Sequence, residues 1–132
     1  MQVVKIGLDE HILALPLDSV EEVLPPLWIE PVEDARPPLR GTLNWHGELI
    51  WALDISRLFG STPTPLTREV RIPVIRHRTQ AFALVCPNVD DVCQLDALTT
   101  SHSAGERIAA VGRDGDTQVQ VLNLDTLLKY LD

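Results

Sequence analysis

Short runs in which hydrophobic and polar residues alternate make up most of the chain. Residues 2–8 and 11–15 alternate on either side of an acidic turn, which predicts a β-hairpin. A second hairpin is predicted with one strand at residues 39–45, a turn at His46-Gly47 and a returning strand at residues 49–53. The period of two residues is that of a half-buried strand and differs from that of a helix.

The second half of the chain repeats this order of elements. One hairpin is expected within residues 70–86, with its turn near residues 77–79, and another within residues 108–122 around Asp114-Gly115. Pro73 lacks a backbone N–H, so its strand is expected at a sheet edge. Many short strands with regular turns predict barrels or a sandwich and argue against a parallel sheet.

A short helical turn is expected between the first hairpin and the second. Asp18 has the residue type of an N-cap, and Glu21 stands at the capping-box position three residues later. The hydrophobic residues of 20–24 then share one helical face, and Pro25-Pro26 ends the segment because proline disfavours helical geometry in the residue before it.

Two further short helices each follow a hairpin. Asp54 is placed to cap a helix over residues 55–59, and Gly60 is placed to end it. Asn123 is placed to cap a C-terminal helix, residues 123–131, whose leucines recur at i, i+3, i+4 and i+7. The two caps occupy equivalent positions in the two halves.

The clearest linker lies near residues 60–68, where threonine and proline predominate and Gly60 stands at the start. Residues 27–32 are a short strand candidate, and residues 33–38 read as a loop. A length of 132 residues suits one domain, residues 1–132, built from two small subdomains. Two small barrels that lean on each other bury more surface than either barrel buries alone.

Composition excludes several classes of protein. Hydrophobic residues make up 45% and charged residues 23%, which is typical of a globular protein. No apolar run approaches the roughly 20 residues of a membrane-spanning helix, so no direct membrane insertion is expected. The N-terminus lacks the pattern of a signal peptide, so a cytoplasmic location is expected. A net charge of −8 repels phosphate backbones, which argues against nucleic acid as a partner.

The residues that usually carry catalysis or bind metals do not form a recognised pattern. No two histidines have the spacing of a metal site, and no glycine-rich phosphate loop occurs. Cys86 and Cys93 are expected to be buried thiols, and Ser101-His102-Ser103 reads as a polar loop. We therefore expect no metal, no cofactor and no catalytic residue, and predict that the chain is not an enzyme.

The most unusual segment is residues 41–47, G-T-L-N-W-H-G, which places Trp45 and His46 at a hairpin tip. Trp45 either folds onto the core as part of a tight turn, or it forms a protein-binding surface together with His46. A rigid hairpin that exposes polar and aromatic groups is typical of such surfaces.

The order of these motifs resembles the CheW-like coupling domain family of bacterial chemosensory systems. The family has a V-x-E-V-L segment, here residues 20–24, and a G-x-x-N-L-R-G hairpin, here residues 41–47. An apolar strand with a V-D-L cap follows, here Leu53-Asp54-Ile55. The resemblance covers essentially the full chain and is most specific from Val20 to Gly60.

This resemblance implies an all-β fold with short helices, in the form of two intertwined, five-stranded, SH3-like barrels. It also implies a non-enzymatic adaptor that joins the regulatory domain of a CheA-type histidine kinase to the cytoplasmic tip of methyl-accepting chemoreceptors. Two alternatives stay open. One is a localisation or scaffold factor that contacts a single array component, and the other is a small ligand-binding barrel or enzyme.

The resemblance also implies a set of site residues. Structural positions of the motifs are Gly41, Gly47 and Asp54. His46 stands where the family carries arginine, which can pair with the acidic residue equivalent to Glu22, and Trp45 stands where it carries leucine. Histidine has fewer donors and only partial charge near neutral pH, so the partner surface is expected to be divergent. The expected protein-binding residues are Val20, Glu22, Leu24, Asn44, Trp45 and His46.

Overall fold

Two antiparallel-rich sheets form the fold in the computed structural model, which describes residues 1–60, 62–100 and 106–131. The first sheet has six strands, in the spatial order β8 (Asn88–Gln94), β1 (Gln2–Leu8), β2 (His11–Pro16), β11 (Thr117–Leu122), β10 (Ile108–Asp114) and β9 (Asp96–Thr100). The second has five, in the order β3 (Val20–Leu24), β6 (Ile72–His77), β7 (Gln80–Val85), β5 (Glu48–Asp54) and β4 (Leu39–Trp45).

Three short helical segments complete the described elements. A 3₁₀ turn spans Leu17–Ser19, α1 spans Ile55–Leu58 and α2 spans Leu124–Lys129. The expectation of an all-β fold with short helices is confirmed, as are the four predicted hairpins. The first sheet has six strands where five were expected, because β9 pairs with β10. Ser101-His102-Ser103 lies outside the described residues.

Each sheet combines strands from both halves of the chain. The six-stranded sheet joins the hairpin β1–β2 to the hairpin β10–β11 through a parallel ladder between β2 and β11. The five-stranded sheet joins β4–β5 to β6–β7 through a parallel ladder between β5 and β7. The middle strands are exchanged as well, since β3 pairs with β6 and β8 pairs with β1. Neither half of the chain therefore contains a complete sheet.

The first and last strands of the six-stranded sheet are consecutive in the chain. Its edge strands, β8 and β9, are separated by Leu95 alone. The buried side chain of Leu95 packs with Val3, Ala14 and Val119, and its N–H donates to the Met1 carbonyl at 2.8 Å. One residue thus connects the two edges.

The predicted helical turn at residues 20–24 is wrong, because this segment is strand β3. Helical geometry is confined to the preceding 3₁₀ turn, whose N-cap is Pro16 and which has no side-chain cap from Asp18. Val20 and Val23 are β-branched residues that favour strands, and both pair with residues of β6. A pairing partner some 50 positions later in the chain overrides the local helical pattern.

Two other strand predictions need correction. Residues 27–32 form no strand and make only an isolated bridge between Glu30 and Thr42. Pro73 does not lie on an edge strand, since β6 is flanked by β3 and β7. The β6–β7 ladder runs from Val74 to His77 and resumes at an isolated bridge between Arg71 and Cys86. The interruption at Pro73 is what the loss of one backbone donor requires.

The largest hydrophobic cluster draws side chains from both sheets and both helices. The buried side chains of both helices pack in it, namely Ile55 and Leu58 of α1 and Leu124 and Leu127 of α2. Cys86 is buried in the same cluster, as predicted, and burial raises the pKa of its thiol well above the usual value. Cys93 is only half-buried, because β8 is an edge strand.

A buried carboxylate fixes the start of α1. Asp54 accepts from the Ser56 N–H at 3.1 Å, the Thr64 N–H at 2.9 Å and the Thr64 hydroxyl at 2.7 Å. Arg40 of β4 adds an ion pair at 3.1 Å. Thr64 belongs to the linker expected near residues 60–68 and is itself buried, so this part of the segment is held against the body.

Replacement of Asp54 by asparagine should destabilise the protein strongly. The amide group would face the Thr64 N–H with a donor, and Arg40 would lose its negatively charged partner, so the free energy of unfolding should fall by about 3–5 kcal/mol. Asn123 caps α2 through N–H donations from Asp125 and Thr126. The matched control is therefore Asn123→Asp, which keeps a capping oxygen and should change stability by less than about 1 kcal/mol. Urea denaturation measures both, and equal losses would contradict the assignment.

An ion-pair cluster joins α2 to the turn between β6 and β7. The carboxylate of Asp125 contacts His77 Nε2 at 2.8 Å and Arg78 Nε at 2.6 Å. Arg78, and next His77, lower the pKa of Asp125 from 3.8 to about 2. A carboxyl group whose pKa is lower in the folded state stabilises the fold above its unfolded pKa, and that contribution is lost as pH falls through the folded pKa.

Acid should therefore destabilise the wild-type chain more than the Asp125→Asn variant. The difference in unfolding free energy between them should shrink as the pH falls from about 4 to about 2, through the folded pKa of Asp125. Denaturant midpoints across this range measure it. Asp116→Asn is the control, because the Asp116 side chain makes no ion pair within the described residues. A difference that stays constant to pH 2 would count against the cluster.

Candidate protein-binding surface

The side chain of Glu22, which is distant in sequence, meets those of Trp45 and His46 at the tip of the β4–β5 hairpin. The Oε1 atom of Glu22 on β3 accepts from Trp45 Nε1–H at 3.0 Å and lies 2.8 Å from His46 Nε2. The rings of Trp45 and His46 are 5.5 Å apart and tilted by 56°. One carboxylate oxygen thus holds both side chains of the hairpin tip.

The turn that carries these residues is fixed by its own backbone geometry. His46 and Gly47 both have positive φ, at 51° and 84°, as a tight two-residue hairpin turn requires. Asn44 strengthens the turn, because its Oδ1 accepts from the Gly47 N–H at 2.8 Å. Trp45 and Glu48 are paired directly across the hairpin. The turn therefore presents Trp45 and His46 in a defined orientation.

Glu22 also connects the two edges of the five-stranded sheet. β3 is the first strand of that sheet and β4 is the last, yet Glu22 reaches the end of β4 by hydrogen bond. Side chains thus connect the edges of this sheet, whereas the chain itself connects the edges of the six-stranded sheet. Glu22 is therefore part of the exposed cluster and also of the contact between the two edge strands.

The charge of the cluster is centred on Glu22. The hydrogen bond from Trp45, and next that from His46, lower the pKa of Glu22 below its usual value of 4.5. The Glu22 side chain is 43% exposed and that of His46 is 71% exposed. The group is therefore ionised at neutral pH, and it lies on the open surface.

The structure brings four of the six expected binding residues together and separates the other two. Glu22, Trp45 and His46 are in contact, and Asn44 supports their turn. Leu24 is buried, where it packs with Ile29 and Leu43 beneath the five-stranded sheet. Val20 is half-buried against the central core. The family resemblance implies a surface position for both residues, whereas strand β3 turns Leu24 inward.

The expected motif positions have backbone or capping roles. A Cβ on Gly41 would lie 2.0 Å from the Glu30 carbonyl oxygen, so only glycine allows the close approach of residues 29–30 to β4. Gly47 provides the second positive φ of the turn. Asp54 lies at the far end of β5 and has no contact with Glu22 or His46.

An exposed hydrophobic patch beside the hairpin was missed by the sequence analysis. Trp28 is 72% exposed and Leu49 is 71% exposed, and with Leu27 they line one shallow cavity together with Thr42 and Asn44. Trp28 Nε1–H donates to Glu30 Oε2 at 2.9 Å, which orients the ring. Leu49 pairs across the hairpin with Asn44. Because a hydrophobic residue stands opposite a polar one, the sequence contained one sign that Leu49 is exposed. We call Leu27, Trp28 and Leu49 the apolar patch.

Within the described residues, no three histidine, cysteine, aspartate or glutamate side chains converge as a metal site would require. Likewise, none of the described helices is long and apolar enough to cross a bilayer. A carboxylate, an indole and an imidazole on an open surface beside an apolar patch have the chemistry of a protein contact.

Comparison with known proteins agrees with this geometry. A family model described as the CheW-like domain matches residues 2–132. The chain belongs to the CheW-like domain family. The protein is therefore an adaptor or scaffold of chemotaxis signalling. The members of this family are scaffold proteins without enzymatic activity.

Two relatives support the family assignment. The chain is 21% identical over 139 residues to a chemotaxis protein CheW of Thermotoga maritima, with 98% of this chain and 89% of that protein covered. It also resembles the crystal structure of a CheW scaffolding protein of Thermoanaerobacter tengcongensis with a TM-score of 0.81. That match has 18% identity and covers 93% of this chain and 84% of the other. The structural likeness shows that the CheW-like domain here has the same fold.

Replacement of Trp45 by phenylalanine should raise the pKa of Glu22 toward 4.5, because one of the two hydrogen bonds that lower this pKa is lost. In the wild type, the stabilisation from this cluster is present above pH 4.5 and is lost as pH falls through the folded pKa of Glu22. Carboxyl ¹³C NMR titration measures the change. The matched control is Trp28→Phe, which removes an indole bound to Glu30 and should leave Glu22 unchanged. Equal shifts in both variants would contradict the assignment.

Proposed function

We propose that this CheW-like domain joins the regulatory domain of a CheA-type histidine kinase to the cytoplasmic tip of a methyl-accepting chemoreceptor in the cytoplasm. It would hold the two partners in register, and no bond would be made or broken. Family membership supports the class of function. The observation that carries the proposal is the ordered cluster of Glu22, Trp45 and His46 beside the apolar patch.

The apolar patch provides the anchors that such an interface needs. Trp28 and Leu49 have most of their area in water, whereas Glu22 and Asn44 beside them are polar. A few large apolar side chains surrounded by polar groups commonly dominate the binding free energy of a protein interface. The hydrogen bond from Trp28 to Glu30 restricts the free ring, so less conformational entropy is lost on binding.

The Glu22 cluster provides orientation and charge. Oε1 of Glu22 accepts both hydrogen bonds from the hairpin tip, and Oε2 makes no hydrogen bond with any described residue. This second oxygen is available to a donor on a partner. We propose Glu22, Asn44, Trp45 and His46 as the polar part of the binding surface, with Trp28 and Leu49 as its apolar part.

Bridging is the property that separates an adaptor from a factor with one partner. Sedimentation velocity of the chain with a kinase regulatory domain and a soluble receptor fragment should show a complex that contains all three proteins. This complex should sediment faster than any complex of two of them. A complex with only one partner would indicate the alternative role of a localisation or scaffold factor. No complex with either partner at high concentration would contradict the adaptor function.

Substitution of the anchors should weaken binding without unfolding. Trp28→Ala and Trp45→Ala should each reduce affinity for at least one partner by about tenfold, the equivalent of about 1.4 kcal/mol. Isothermal titration calorimetry measures the loss, and circular dichroism checks the fold. The control is Leu98→Ala, an exposed hydrophobic residue on edge strand β9 of the other sheet. A loss of affinity in Leu98→Ala alone would indicate that the interface lies on the six-stranded sheet and would contradict the proposed surface.

A further inference from the structure

A small pocket lies at the end of the β4–β5 hairpin opposite to the Glu22 cluster. It has a volume of about 200 Å³, and its walls come from Pro37, Pro38, Leu39 and Pro63. Its polar lining comes from Arg40, Asp54 and Arg57. Strand β4 has seven residues, so the pocket and the hairpin tip are separated by roughly 20 Å along the strand. The pocket is therefore independent of the surface proposed above.

The charge of the pocket is positive. The carboxylate of Asp54 is buried and fully hydrogen-bonded, and Arg40 neutralises it. Arg57 makes no hydrogen bond or ion pair through its side chain within the described residues. One positive charge is thus left over at this site in a chain whose net charge is −8.

The pocket is also held in shape before any ligand arrives. Arg40 Nη1 donates to the Thr64 carbonyl at 2.6 Å as well as to Asp54, which ties β4 to the segment that contains Pro63. Three prolines with restricted backbone torsions form much of the wall. A preformed site loses less conformational entropy when a ligand binds.

We propose that this pocket binds a carboxylate side chain, glutamate or aspartate, presented by an extended segment of a partner protein. Arg57 forms the ion pair, since guanidinium groups match carboxylates with two parallel hydrogen bonds. The proline and leucine walls contact the apolar residues that flank the acid. A volume of about 200 Å³ accommodates a single side chain with part of its backbone.

A short peptide tests this site directly. ¹⁵N NMR titration with acetyl-Leu-Glu-Leu-amide should shift the amides of Leu39, Arg40 and Arg57 and the side-chain Nε of Arg57. The isosteric acetyl-Leu-Gln-Leu-amide should bind at least tenfold more weakly. Sodium glutarate represents a free small carboxylate and should also bind more weakly than the acidic peptide. Equal binding of the glutamine peptide would show that the pocket does not recognise a carboxylate. Equal binding of glutarate would show that the carboxylate need not belong to a partner protein. Either result would overturn the proposal.

Variants assign the ion pair to one residue. Arg57→Gln should weaken the acidic peptide at least fivefold, and Arg57→Lys should retain part of the affinity because it retains the charge. Arg68→Gln removes the same charge from an exposed position outside the pocket and should change affinity less than twofold. Equal losses in Arg57→Gln and Arg68→Gln would reduce the effect to overall charge and overturn the site. Kinase or receptor binding at the hairpin tip should be unchanged by Arg57→Gln, so this test is separate from that of the proposed function.

Discussion

The constraint on which the structure depends is that neither half of the chain can complete a sheet by itself. The parallel ladders β2–β11 and β5–β7 join a hairpin from one half to a hairpin from the other. Strands β5 and β11 each lead directly into a capped helix, so Asp54 and Asn123 occupy equivalent places beside these ladders. The central core then forms between the sheets, where α1 and α2 pack. Folding must bring both halves together before either gains its core.

The same exchange leaves each sheet with two edges to bring together. In the six-stranded sheet, Leu95 is the only residue between the edge strands. In the five-stranded sheet, residues 25–38 separate the edge strands in sequence, and Glu22 contacts the hairpin tip across this gap. The contact is made by Trp45, which is half-buried against the core of this sheet, and by the exposed side chain of His46. The hydrogen bonds that order the surface proposed for partners are therefore the same ones that join the two edge strands of this sheet.

Local sequence signals predicted the turns and helix caps, which depend on adjacent residues. They failed for segments whose structure depends on pairing with a distant strand. The turn at His46-Gly47 and the caps Asp54 and Asn123 were predicted because each is set by a few adjacent residues. The segment that forms strand β3 has a local helical pattern, and its partner β6 lies across the linker. The family resemblance implies a surface position for Leu24, whereas β3 turns this residue inward. Trp28 and Leu49 look like core residues in sequence. The tertiary structure shows that nothing in the described chain covers them, and the position of Leu49 opposite polar Asn44 was the one local sign of this.

Hydrogen–deuterium exchange of the chain, free and bound to the proposed kinase regulatory domain, tests the central claim most directly. The claim is that the ordered hairpin tip and the apolar patch form the partner surface. Binding should slow exchange in peptides that cover residues 20–24 and 42–50 and should change it little in residues 108–122. Protection confined to residues 108–122, with residues 42–50 unchanged in the complex, would contradict it.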